Sequence, residues 1–89
     1  MRAVITVVGH DTKGIIASVA TLLANNGINI LDISQTIMQN MFTMIMLCDI
    51  SESDIPFEEL VAELNTLGEQ LKMSIRIQHE DIFNSMHKI

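Results

Sequence analysis

The sequence predicts a single α+β domain, in which a four-stranded antiparallel sheet carries two helices on one face. Three observations lead to this class. The chain has 89 residues, the length of one small domain. Hydrophobic residues make up 48% of it, too many for a disordered segment. Segments with the periodicity of strands and helices follow one another in the order strand, helix, strand, strand, helix, strand.

The first two elements are a strand and a helix. Residues 2–8 are rich in β-branched side chains and are apolar on both faces, which is typical of a central strand. Apolar residues fill most of 14–26 at helical spacing, with Asp11 or Thr12 available as the N-cap. Gly27 stands where a left-handed C-cap is expected. A helix is therefore predicted to end there.

The next two segments are extended and are joined by a polar turn at Gln39-Asn40. Residues 28–38 have an apolar phase that slips along the segment, which predicts a bulge or bend. Residues 41–50 are apolar on both faces, so this third strand is predicted to be central as well.

A second helix is predicted to begin within residues 51–56, and the apolar residues from Phe57 to Leu71 then follow the helical period. Ser53 or Asp54 is available as its cap, with Pro56 in the first turn. Gly68 lies on the apolar side and would permit close approach to a neighbouring element.

The chain ends with an edge strand and a tail. Residues 73–78 alternate between apolar and polar side chains, as expected of an edge strand. Residues 81–89 place apolar side chains at helical spacing, which predicts a short amphipathic tail that covers apolar surface. The domain proper is therefore assigned to residues 1–80 and the tail to 81–89.

With right-handed crossovers, this order of elements gives the ferredoxin-like βαββαβ sandwich, whose first and third strands lie in the middle of the sheet. Those two strands are also the ones with two apolar faces. The tail, a second subunit or both must cover the face without helices. Small size points the same way, so we expect a homo-oligomer, at least a dimer.

Charge and composition exclude several functions. The net charge is −6, and both Trp and Tyr are absent, so direct nucleic-acid binding is not expected. No apolar run is long enough to span a membrane. The single cysteine, Cys48, and a start without a signal-peptide pattern predict a cytoplasmic protein. Seven of the eleven acids lie between Asp49 and Glu69 and predict a solvated acidic face on the second helix.

The loop Gly9 to Gly14 has the glycine spacing of a P-loop, but Ile15-Ile16 follows in place of Lys and Ser or Thr. Nucleotide hydrolysis is therefore not supported. A glycine-punctuated loop that leads into a helix N-terminus suits a carboxylate, and Asp11 could pair an ammonium. From local chemistry alone a structural role accounts for the same residues, with both glycines serving backbone geometry and Asp11 only capping the helix.

Two segments, Val8 to Ile16 and Leu22 to Asp32, resemble the ACT domain, a βαββαβ module that senses small molecules, mostly amino acids. The resemblance covers about residues 2–80. Among members of that family, the chain is most similar to stand-alone ACT proteins and to the paired ACT domains of the glycine cleavage system transcriptional repressor.

In amino-acid-binding members of that family, the ligand lies between the first loop and helix of one subunit and the second strand of a neighbour. The resemblance therefore implies a ligand site formed by Asp11, Thr12, Lys13, Gly14, Ile15, Asn29 and Ile30. Many members have Pro before the glycine, whereas this chain has Lys13, which removes a fixed φ and adds a cation.

Other chemistry has less support. The metal candidates lie near the C-terminus: His79, Glu80, Asp81 and His87. Their spacing specifies no metal site, so they are interpreted as surface residues. Acylphosphatases share this topology but need an arginine in the first loop, and the arginines here are Arg2 and Arg76. No cofactor is predicted.

The sequence therefore predicts a non-catalytic, cytoplasmic ACT-type regulatory module that forms at least a homodimer. It is expected to bind a small amino-acid-like ligand and to act on a regulated partner protein. The alternative is a protein-interaction or oligomerisation module of the same fold that binds no ligand.

Overall fold

The computed structural model describes residues 1–10 and 13–86. Its elements follow the predicted order, and the predicted helical segment at the C-terminal end is confirmed. They are β1 (Arg2–His10), α1 (Ile15–Asn25), β2 (Asn29–Met38), β3 (Met41–Asp49), α2 (Phe57–Leu71), β4 (Met73–His79) and α3 (Glu80–Met86).

The four strands form one antiparallel sheet in the order β2-β3-β1-β4. The ferredoxin-like prediction and the central positions of β1 and β3 are confirmed. Ile5 pairs with Met46 on one side and with Ile77 on the other. Alternate residues of the central strands are fully buried with residues of α1 and α2, notably Ile5, Val7, Met44, Met46, Val19, Leu23 and Leu64. The core therefore lies between one face of the sheet and the two long helices.

A two-residue turn joins β2 to β3. Gln39 has φ 49° and Asn40 has φ 70°, the left-handed pair that matches the twist of a tight hairpin. The predicted polar turn is confirmed.

β2 contains one extra residue relative to β3. The register shifts between Ile30 and Asp32, so the predicted bulge is confirmed. Because of this shift Ile30 is opposite Cys48 and Ile33 is opposite Met46. Both isoleucines therefore share the helix side of the sheet, although three positions separate them along the chain.

The N-cap of α1 is Gly14, and the prediction of Asp11 or Thr12 as the cap is wrong. Gly14 has φ 83°, and no side-chain hydrogen bond from the described residues caps the helix. A left-handed residue turns the chain directly into the helix, a conformation that glycine adopts without a Cβ clash. Asp11 and Thr12 themselves lie outside the described residues.

The cap of α2 also differs from the prediction, because Pro56 is the N-cap and neither Ser53 nor Asp54 fills that position. The Ser53 hydroxyl accepts from the Ile55 N–H at 3.3 Å and donates to the Ile55 carbonyl at 2.9 Å. These contacts use Ser53 in the preceding turn, so the helix begins later, at Phe57.

The end of α1 is a Schellman motif around Gly27, whose φ is 73°. The Ile28 N–H donates to the Leu23 carbonyl at 3.0 Å, and the Gly27 N–H donates to the Ala24 carbonyl at 3.1 Å. The predicted left-handed residue is confirmed.

Gly68 brings α2 close to the start of β4. A Cβ at this position would lie 2.8 Å from the carbonyl oxygen of Met73, which is too short for a real contact. The predicted close approach is confirmed.

The C-terminal part folds back on the sheet. α3 contacts β1 and β4. Arg2 and Glu80 form a bidentate ion pair, with Nη2 to Oε2 at 2.7 Å and Nε to Oε1 at 3.0 Å. Phe83 is half-buried, whereas Ile82 is 51% exposed. The tail that is predicted to cover apolar surface extends to residues 87–89, which lie outside the described residues. Within the described residues, no helix is long and apolar enough to cross a membrane.

Candidate functional site

The loop that follows β1 ends at an open helix N-terminus. Lys13 and Gly14 are exposed, whereas Ile15 is buried in the core. The Ser18 N–H donates to the Gly14 carbonyl at 2.9 Å and begins the helical ladder. Ile15 therefore holds the first turn against the sheet while the backbone of Gly14 faces outward.

The backbone N–H groups of this first turn have no intrahelical partners, as at the start of any α-helix. Among the described residues no side chain caps them, and the first turn contains no acidic residue. The helix dipole adds a partial positive charge at the same place. A Cβ built on Gly14 would meet no atom within 4 Å, so a small anion can approach the backbone.

The second part of the predicted site lies at the start of β2. Asn29 is exposed and pairs with Asp49, while Ile30 pairs with Cys48 and packs against the core. Cys48 is buried, so the register places Ile30 on the helix side of the sheet and Asn29 on the other side.

Asp49 is a carboxylate beside Asn29 that sequence reasoning did not single out. Hydrogen bonds from the side chain and backbone of Ser51 hold the pKa of Asp49 below its usual value, and the N-terminal ammonium and Arg2 lower it further. The N-terminal ammonium lies 3.8 Å from Asp49 Oδ1. This end of the sheet therefore holds an ionised carboxylate at neutral pH, and only the strand register could have located it.

The two halves of the predicted site lie at opposite ends of the sheet within one chain. Asn29 and Arg2 both pair with Asp49, whereas Met38 and His10, which precedes the loop, both pair with Met41. The nine steps from Asn29 to Met38 span about 30 Å. One small ligand cannot bridge Gly14 and Asn29 of the same chain. Asp11 and Thr12 lie outside the described residues.

β2 is an edge strand, and no strand among residues 1–10 and 13–86 pairs with its outer side. It carries four exposed apolar residues, Leu31 at 45%, Ile33 at 42%, Ile37 at 56% and Met38 at 67%, and a single charge at Asp32. Edge strands that avoid pairing usually carry lysine, proline or several charges. β2 carries none of these features except the charge of Asp32.

A separate cavity of about 550 Å³ lies at the Asn29 end of the sheet, lined by Met1, Arg2, His79, Glu80 and Asp81. Two charged residues of this cavity, Arg2 and Glu80, form an ion pair with each other. The His79 ring stacks on Phe57, with the ring centroids 4.2 Å apart. Among the described residues no three histidine, cysteine or acidic side chains could hold a metal ion together. His87 lies outside the described residues.

The fold and the start of α1 define a class: a ferredoxin-like βαββαβ module whose first helix begins at a left-handed glycine. Residues 2–78 match the family model described as the ACT domain. The chain therefore belongs to the ACT domain family, a family of regulatory ligand-binding modules.

Relatives agree with this assignment over the whole chain. A UPF0237 protein from Clostridium acetobutylicum is 56% identical over 89 residues, which cover 100% of both chains. The structure of an ACT domain protein from Streptococcus pneumoniae is 42% identical, with a TM-score of 0.81 and 93% of each chain covered. A structure assigned as a glycine cleavage system transcriptional repressor is 31% identical, with a TM-score of 0.76; it covers 86% of this chain and 44% of its own. The resemblance predicted from the sequence is confirmed.

Proposed function

We propose that this chain is a cytoplasmic, non-catalytic regulatory module whose ligand site is completed only by a second copy. The ligand is a small amino-acid-like molecule, and a partner protein receives the ligand-dependent signal. The observation that carries the proposal is the separation of Gly14 and Asn29 to opposite ends of one sheet.

Pairing of two β2 edges through a two-fold axis would bring Gly14 of one chain close to Asn29 of the other. Such a pair is antiparallel, so the Asn29 end of one β2 lies beside the Met38 end of the other. The Met38 end is also the end of the sheet at which the loop after His10 lies. The same pairing would cover the exposed side chains of Ile33 and Ile37 and satisfy the free backbone row of β2.

The polar groups at such a junction suit a zwitterion. The open N-terminus at Gly14 and Ile15 favours a carboxylate, with Lys13 as an additional cation. Asn29 and the ionised Asp49, both from the second chain, supply acceptors for an ammonium. An amino acid presents these two charges a few ångströms apart, which is why we favour that ligand class.

Thermal melting with a panel of amino acids tests the ligand. A ligand at about 100 times its dissociation constant adds about 2.7 kcal/mol to the free energy of unfolding, which shifts the midpoint of a domain this size by several degrees. Gly14→Asp should abolish the shift, whereas Gly14→Asn carries the same backbone strain without the charge and should retain part of it. No shift with any amino acid would favour the alternative, a protein-interaction module that binds no ligand.

A mixing experiment tests whether two chains share the site. Gly14→Asp and Asn29→Ala are each expected to lose binding alone. When they are mixed, about half of the dimers contain one chain of each kind, and each such dimer has one intact site, so about a quarter of the sites recover. Mixing Gly14→Asp with a second loop variant, Lys13→Glu, which places an anion beside the proposed carboxylate position, is the matched control and should restore nothing. Equal signals from both mixtures would contradict a shared site.

The dimer is tested by its mass in solution. Ile33→Lys places a charge in the proposed β2 interface and is expected to give a monomer by analytical ultracentrifugation. Ser74→Lys makes a similar change on the other edge strand, β4, and should leave the mass unchanged. A wild-type monomer at high protein concentration would contradict the proposal.

A further inference from the structure

A groove runs between α1 and α2 and is separate from the proposed ligand site. It consists of two adjoining cavities of about 510 and 350 Å³, both lined by Leu22 and Glu63. α1 also contributes Ala17, Ser18 and Thr21 to the lining, and α2 contributes Glu59, Thr66 and Leu67. We call it the interhelical groove.

The two walls of the interhelical groove differ in chemistry. α1 has no charged residue along its whole length, so its wall is made of small and neutral side chains. α2 contributes Glu59 and Glu63, and none of the described residues that line the groove is basic. Leu22 and Leu67 are half-buried and supply an apolar floor. A neutral, partly apolar wall therefore faces an anionic one.

The size of the groove fits a short helix. The α2 wall from Glu59 to Gln70 spans about 16 Å, which is about three helical turns. Small side chains on the opposite wall, such as Ala17, Ser18 and Thr21, let another backbone approach closely. Helix-in-groove docking places an apolar face in such a channel and leaves the remaining faces free for charge contacts.

The charge of the chain decides which partner fits. A second copy would bring another net charge of −6 to an acidic wall, and like charges oppose that contact. A cationic segment is attracted by the same field and is guided to the groove at long range.

We propose that the interhelical groove docks an amphipathic basic helix of a partner protein. Its apolar side chains would lie over Leu22 and Leu67, and its lysine or arginine side chains would lie along Glu59 and Glu63. This inference rests on the proposed function only in naming the surface that the regulated partner uses, since neither the ligand nor the β2 edge is part of it.

The probe is a fluorescent synthetic helix of about 15 residues built from leucine, alanine and lysine, with the lysines on one side. Binding is followed by fluorescence anisotropy, and amide chemical shifts map the contact. The double variant Glu59→Gln/Glu63→Gln should weaken binding by about fivefold or more. The amide oxygen that Glu63→Gln introduces can still accept the hydrogen bond from Asn26, so the fold is retained.

The matched control is Glu58→Gln/Glu69→Gln, which removes the same charge from α2 positions outside the groove. At physiological salt the screening length is about 8 Å, so the control should change affinity by less than about twofold. Equal weakening in both double variants, or shifts that map away from α1 and α2, would overturn the proposal. So would a fall in the molecular mass of the protein with Thr66→Arg, because a second copy would then occupy the groove.

Ligand melting and ultracentrifugation of the same variants separate the two proposals. If Glu59→Gln/Glu63→Gln loses the peptide but keeps the ligand shift and the dimer mass, the groove is assigned independently of the ligand site. If no amino acid stabilises the protein while the peptide still binds in the groove, the ligand proposal fails and the groove proposal stands.

Discussion

Asn26 donates from Nδ2 to Glu63 Oε1 at 2.9 Å and also to the Leu22 carbonyl at 2.9 Å. One amide group thus closes the end of α1 and joins it to the middle of α2. The sequence pattern placed Glu63 on a solvated acidic face, but its carboxylate is half-buried and engaged in this contact.

Replacement of this amide should destabilise the domain. Asn26→Ala removes both hydrogen bonds and leaves a half-buried carboxylate with fewer donors, so we expect the free energy of unfolding to fall by about 1–2 kcal/mol. Urea unfolding followed by circular dichroism measures it. The neighbouring exposed residue offers a control, because Asn25→Ala should change stability by less than about 0.5 kcal/mol. Similar losses in the two variants would contradict a special role for Asn26.

Gly68→Ala should be destabilising, although alanine is the better helix former by about 1 kcal/mol. The new Cβ would lie 2.8 Å from the backbone oxygen of Met73, and a backbone atom cannot rotate away. We expect a loss of about 1–3 kcal/mol, measured as a lower melting temperature. Ala62→Gly on the exposed face of the same helix isolates the propensity effect. A gain in stability from Gly68→Ala would contradict the close approach of α2 and β4.

The β2–β3 turn can be improved. Gln39 adopts φ 49°, a conformation that asparagine tolerates better than glutamine. Gln39→Asn should raise the free energy of unfolding by about 0.5 kcal/mol, and Gln39→Val should lower it by more than about 1 kcal/mol. Chemical denaturation measures both values. If the free energy of unfolding depends on denaturant concentration with the same slope in all proteins, the variants differ in stability alone. Equal stability of the two variants would show that the turn does not have left-handed geometry.

Cys48 should make stability depend on alkaline pH. Burial raises the pKa of its thiol from 9.0 to about 11, so between these values the unfolded chain loses a proton that the folded chain keeps. Stability therefore falls as pH rises through this window, by up to about 2–3 kcal/mol in total. The difference between wild type and Cys48→Ala in urea midpoints from pH 8 to 11 isolates the effect. Parallel pH profiles for the two proteins would refute it.

Periodicity was enough to predict the order of the elements, because each strand and helix here buries one regular face. It also located the bulge near Leu31, since an extra residue leaves a visible slip in the apolar phase. The helix starts were less predictable. Asp11, Thr12 and Ser53 all have good capping chemistry, yet Gly14 begins α1 through backbone geometry and Ser53 is held by Ile55 in the turn before α2.

The resemblance implied the residues of the candidate site and also that two subunits share it, whereas the separation of Gly14 and Asn29 within one chain was not predicted. A sequence places Gly14 and Asn29 only 15 positions apart, while the strand register places them at opposite ends of the sheet. Distances across a sheet depend on which strands pair and in which direction, and this information is spread over β1, β2 and β3. The position of Asp49 beside Asn29 was not predicted for the same reason.

The placement of Gly14 and Asn29 also bears on how much protein the cell must make. A ligand that needs both residues binds two chains at once. The number of complete sites therefore grows with the square of the chain concentration when most chains are monomeric. A cell could then retune its response to the same metabolite level by changing expression alone. Conversely, a surplus of ligand would gather dilute chains into pairs, so that assembly itself becomes the signal.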